Sequence, residues 1–134
     1  MDLAADQSDQ NPVYYLQYAH ARISNIISRA NDLGVTFEGV FDPSLLKHDD
    51  EMNLLKYMVR FPEFVDLAYE CLEPQNIANY LQELSARFHK FYNHCRVITD
   101  DIELSRARLA IVKATRIILA NGFNILGISA PERM

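Results

Sequence analysis

Between Leu16 and Leu33 the apolar residues return every three or four positions, at Leu16, Ala19, Ile23, Ile26, Ile27, Ala30 and Leu33. That spacing lays one apolar stripe along a helix of several turns, and such a stripe must be covered by neighbouring elements. The ends of the segment carry matching punctuation. Asn11 suits an N-cap, Pro12 suits the first helical position, where an N–H is not needed, and Gly34 suits a C-terminal cap. The rest of the chain repeats the pattern. Asp49 to Arg60 turns Met52, Leu55 and Val59 inward, and Pro62 opens a short helix through Cys71. A fourth helix, about 74–96, starts at Pro74 and buries Ile77, Leu81, Leu84, Phe88, Phe91 and Cys95. After a turn at Thr99-Asp100-Asp101, a fifth runs from about Ile102 to Asn121 on a face of Leu104, Ile111, Thr115 and Ile118. Gly122 is expected past its end, followed by a short tail, residues 123–134, and Leu119, Phe123, Ile125 and Leu126 read as core residues. Residues 34–48 read as a loop and residues 1–10 as a polar lead-in. The expected fold is a single all-α domain, a helical bundle of about five helices.

Few chemistries fit this chain. It contains no glycine-rich phosphate loop, no HExxH and no CxxC pair. His94 adjoins Cys95, but neighbours on a helix point about 100° apart and rarely share one ion, so no metal site is expected. Cys71 and Cys95 both sit inside apolar patterns and read as buried free thiols of a reducing, cytoplasmic protein. No segment approaches the ~20 consecutive apolar residues of a membrane span. The net charge of −5 at first disfavours nucleic acid, but it is unevenly divided. Residues 1–84 carry a balance of −9 and residues 85–134 a balance of +4, which allows a local phosphate-attracting face.

One pattern on the first helix has two readings. Tyr15, Tyr18, Arg22 and Arg29, spaced by three, four and seven, form a stripe that borders the apolar face. Tyrosines there can cap the core with their hydroxyls in water. They can equally form a platform on which unpaired bases stack, with a guanidinium for phosphate or a base edge. His89, Tyr92 and Arg96 make a second aromatic and basic edge on the fourth helix. Spacing alone leaves both readings open.

Three longer stretches resemble a known family. The run Asn11-Pro12-Val13-Tyr14-Tyr15-Leu16-Gln17-Tyr18-Ala19-His20-Ala21-Arg22 is similar to the NPVYYxQYAHAR segment of arginyl-tRNA synthetases. Phe88 to Asn93 with Cys95-Arg96-Val97 resembles the family's FHxFYNxCRV stretch. The segment from Arg108-Leu109-Ala110 through Ala120-Asn121-Gly122 to Ser129-Ala130-Pro131-Glu132-Arg133-Met134 resembles its RLAxVxATRxxLANGxxxLGxSAPERM ending.

The resemblance implies the helical anticodon-binding domain of a class I aminoacyl-tRNA synthetase that joins arginine to its tRNA using ATP, with Mg. The HIGH and KMSK type signatures of the catalytic part are absent, so it covers only the last domain, residues 11–134, with residues 1–10 as a truncated linker. It implies no catalytic residue and no cofactor in this chain. Its expected partners are the anticodon loop of tRNA-Arg and the catalytic domain, with no membrane and no DNA. Carried over by position, Tyr15, Tyr18, Arg22, Tyr92 and Met134 are the implied RNA-binding residues. Ala19 is added because a small residue permits close approach, and His89 and Arg96 come from spacing alone. The alternative function is a protein-interaction module that docks on the catalytic domain or a synthetase complex.

Overall fold

The computed structural model describes residues 11–36 and 40–134. The expected linker at 1–10 lies outside the described residues, as does Gly39 in the 34–48 stretch. The described residues form five α-helices: α1 (Pro12–Asp32), α2 (Asp49–Met58), α3 (Phe61–Cys71), α4 (Gln75–His94) and α5 (Ile102–Leu126). A 3-10 turn at Pro43–Leu45 interrupts the stretch read as a loop. No strand occurs among the described residues, so the all-α expectation holds.

Local chemistry sets the helix ends. The Asn11 side chain accepts from the Val13 N–H at 3.0 Å, satisfying an orphan donor at the start of α1. His48 caps α2: its Nδ1 accepts from the Asp50 N–H at 3.1 Å, while Glu51 accepts from the His48 N–H at 3.0 Å. Asp101 caps α5 through Glu103 and Leu104.

Helices α1, α2 and α4 surround α5, while α3 packs on α4. Phe88, Phe91, Leu81 and Leu84 of α4 and Leu109, Ile111, Leu119 and Phe123 of α5 fill the centre. Length and composition alone would let α5 cross a membrane, which counting consecutive apolar residues did not anticipate. Here it packs against α1, α2 and α4, with Ser105, Thr115 and Gly122 buried beside its apolar residues. Tyr80 of α4 is fully buried, stacks on Tyr57 at 4.6 Å and donates its hydroxyl proton to the Tyr57 carbonyl at 2.8 Å. Burial pushes that phenol's pKa far up, so it remains a donor.

Several expectations are corrected. Gly122 lies inside α5, not past it. It is buried, and a Cβ there would meet both terminal methyls of Leu81 at 2.7 Å, so the glycine serves close helix packing. Gly127, with φ +72°, is the left-handed cap instead. Met52 and Val59 face solvent, because Leu54, Tyr57 and Met58 carry the buried face of α2. Leu33 and Ile125 are exposed, and so is Cys71, while Cys95 is buried.

Replacing Tyr80 with Phe should lower stability by about 1 kcal/mol, because it removes the buried hydroxyl's hydrogen bond to the Tyr57 carbonyl, which still accepts from the Arg60 N–H at 3.1 Å. Urea unfolding should show a lower midpoint at unchanged slope. An unaltered midpoint would mean that water replaces the hydroxyl.

Candidate nucleic-acid interface

The stripe on α1 meets α4 along one seam. Tyr15 is half-buried and lies edge-on to the His89 ring, 5.9 Å between centroids. One turn of helix beyond Tyr18, Arg22 places its guanidinium over the Tyr92 ring at 4.9 Å. Its Nη1 lies 3.4 Å from Nδ1 of His89, which can accept as the neutral ring. Tyr92 in turn stacks on fully buried Phe88 at 6.1 Å and 15°. The apolar spacing of α4 that buries Phe88 therefore presents His89 and Tyr92 at the seam, one and four residues on.

Burial raises the Tyr15 phenol. It lowers His89, and Arg22 adds to that effect. Both rings are thus neutral near pH 7, and the positive charge at the seam belongs to Arg22.

The structure brings Tyr15, Arg22, His89 and Tyr92 into one chain of contacts. Tyr18 shares their face of α1, is 46% exposed, and makes no hydrogen bond or ring contact among the described residues. It is the open ring of the set. Arg96 is exposed and lies across a groove it lines together with Arg22 and Tyr92. Ala19 is corrected: at 0% exposure its methyl belongs to the core and offers no surface to a ligand.

Met134 is 55% exposed at the end of a tail that doubles back onto α1. Gln17 donates to the carbonyl and hydroxyl of Ser129, both at 3.1 Å. His20, buried and packed on Phe123, has Nδ1 2.7 Å from the Pro131 carbonyl oxygen and so carries its proton on that nitrogen. This clasp was missed in the sequence. The only signal was the three-residue spacing of Gln17 and His20, since their partners lie 112 and 111 residues away.

No group of three or more metal-ligating side chains that could hold an ion occurs among the described residues. His94 is hydrogen-bonded to Asp50, which holds that carboxyl below its usual pKa range. The seam offers rings and a fixed cation rather than a nucleophile with a base. Such a surface can stack planar groups and hold anions.

Comparison with known proteins identifies the family of the fold. Residues 16–134 match the family profile of the DALR anticodon binding domain. An arginine–tRNA ligase of Syntrophotalea carbinolica is 51% identical over 100% of this chain, which spans 24% of that protein. One from Carboxydothermus hydrogenoformans is 47% identical with the same coverage. The solved arginyl-tRNA synthetase of Thermus thermophilus superposes with a TM-score of 0.80 at 33% identity, over 96% of this chain and 22% of that one. The chain thus spans about a quarter of the length of the relatives it matches.

The geometry yields two predictions. His20→Phe keeps the ring packing on Phe123 but removes the bond to Pro131, so the Met134 methyl resonance should narrow toward its random-coil position while Tm changes little. An unmoved resonance would show that the tail is held elsewhere. His89 is depressed in the folded state, so the unfolded chain takes up its proton first as pH falls. Its contribution is therefore constant at higher pH and declines once the pH drops below the unfolded value of 6.5. In His89→Gln, the loss of urea midpoint between about pH 7.5 and about pH 5.5 should be smaller than in wild type.

Proposed function

The chain belongs to the DALR anticodon-binding domain family, and from that premise we propose that it reads the anticodon loop of an arginine tRNA. Unpaired bases stack on Tyr18 and on the surface formed by Arg22 and Tyr92. The observation that carries this reading is the seam itself, with one exposed ring beside a guanidinium held over a second. Arg22 already covers Tyr92, so an incoming base stacks on the guanidinium plane or displaces it. Tyr15 and His89 support that arrangement from below. Met134, at the end of the clasped tail, supplies a soft thioether to the same loop.

All arginine anticodons share a middle C, the base such a pocket has most reason to distinguish. Two or three stacked bases contribute on the order of 2–9 kcal/mol before ordering costs are subtracted. In a full-length protein the neighbouring catalytic domain uses ATP, with magnesium, to join arginine to the tRNA, and the enzyme works in the cytoplasm. A second role, docking on that catalytic domain, is compatible with the first. It is favoured by Val59, Tyr69 and Leu72, which are 75–83% exposed around α2 and α3.

An anticodon stem-loop carrying the middle C should bind this chain more tightly than one with that base changed, and the binding should weaken with salt. Tyr18→Ala and Arg22→Ala should each cost about 1–3 kcal/mol of affinity with Tm nearly unchanged. Equal affinity for both loops would remove specific readout, and full affinity in both variants would remove the platform.

A further inference from the structure

We propose that Gln17 and His20 are positioning residues for RNA binding: they pin the segment after α5 to α1 and so keep Met134 within reach of the Tyr18 ring before a ligand arrives. The role rests on the anticodon-loop reading above and falls to two side chains which that reading does not use.

The path of the segment is set in three steps. Gly127 takes the left-handed conformation that ends α5, and the Ile128 N–H bonds the Phe123 carbonyl at 2.8 Å. The Gln17 amide then donates to the carbonyl and the hydroxyl of Ser129, both at 3.1 Å. Two residues on, the His20 imidazole donates to the Pro131 carbonyl at 2.7 Å. Ser129 meets Gln17 and Pro131 meets His20, so the segment advances along α1 in the direction of Arg22.

These bonds have little packing behind them. Ser129, Ala130 and residues 132–134 are exposed, and Pro131 is half-buried. A stretch that buries so little apolar surface is held by the few polar bonds it makes. The two donors flank Tyr18 on α1, one residue before it and two after. His20 is buried and packed on Phe123, so its N–H is fixed in direction. The three residues beyond Pro131 span at most about 10 Å, roughly two turns of helix, which confines Met134 to the neighbourhood of Tyr18 and Arg22. With both bonds gone, the nearest tether is Ile128, packed on the core six residues before Met134. The local concentration at the end of a flexible tether falls as about the −3/2 power of its length, so doubling the tether dilutes Met134 about threefold. Gln17 and His20 thus act through Met134 and need not touch the ligand.

Two replacements of His20 separate packing from positioning. His20→Phe keeps a ring against Phe123 and loses the donor. His20→Asn loses the ring and puts an amide N–H where Nδ1 stood. Affinity for an arginine anticodon stem-loop is measured for the 134-residue chain and its variants, each with and without Met134→Ala. In wild type, Met134→Ala should weaken binding about fivefold, and in Gln17→Leu/His20→Phe only about twofold, because the thioether is already diluted. His20→Asn should retain the larger effect even though its Tm falls below that of His20→Phe. The loss in Tyr18→Ala should be the same with the clasp intact or broken. An undiminished Met134→Ala effect in Gln17→Leu/His20→Phe would overturn the proposal, because the segment would then find its place without the clasp. Affinity that follows Tm across the two His20 variants would overturn it as well, since a purely structural residue behaves in that way. No effect of Met134→Ala in wild type, with binding still lost in Tyr18→Ala, would remove the tail from recognition and leave the platform standing. Absence of binding by wild type would overturn both readings.

Discussion

The guanidinium of Arg108 ties together parts of the chain that no local periodicity connects. From α5 its Nε donates to Glu51 at 3.0 Å, and its Nη1 donates to the Arg96 carbonyl at 2.7 Å. Glu51 is 1% exposed and also accepts from the His48 N–H, so one carboxylate caps α2 and pairs with α5. A buried pair of this kind adds little net stability over an apolar replacement, but losing either partner strands a charge. Its effect is to select one arrangement. The turn that follows is fixed in the same way, by the Ser105 hydroxyl accepting from the Thr99 N–H at 2.7 Å. The wall opposite α1 is therefore positioned by residues that lie in neither the platform nor the groove.

The same pair helps to explain how a chain of net charge −5 can present a cationic surface. Glutamates are matched with arginines that lie outside the seam contacts: Glu63 with Arg60, Glu83 with Arg87 and Glu103 with Arg106. Asp50 lies near Lys90 and is hydrogen-bonded to His94. What a polyanion meets at close range is the local field and not the total. Beside the seam, Arg22, Arg29 and Arg96 line one groove without a carboxylate partner among the described residues.

Much of this was legible in the sequence wherever a helix is long and its partners uniform. The Asn11 cap and the buried face of α4 could be read because many turns of consistent spacing allow a single register. The short α2 could not. Ten residues accommodate either Met52 and Val59 or Leu54, Tyr57 and Met58 as the inner face, and the structure takes the second, with the Tyr80 hydroxyl bonded to the Tyr57 carbonyl at the end of that helix. Gly122 looked like a terminator because glycine usually is one, yet its missing Cβ is required by Leu81 from another helix. The platform residues were legible as a stripe. That Ala19 faces inward follows from its place among the core residues of α1, and spacing could have shown it. The clasp of the tail on Gln17 and His20 could not be read, since its two halves lie at opposite ends of the chain.

The seam contains cations held to different degrees, and the difference bears on recognition. Arg22 is confined by the Tyr92 ring and by a neutral His89, so its donors point one way before a ligand arrives, and little side-chain entropy remains to be lost on binding. A fixed guanidinium of that kind can discriminate between base edges. Arg29 and Arg96 are exposed and unpaired with any described carboxylate, so they can follow a phosphate wherever the strand carries it. That contact supplies attraction without sequence information. The burial of His89 connects the two behaviours. A protonated ring would repel Arg22 from its station, so the desolvation that keeps His89 neutral also keeps the discriminating cation in place.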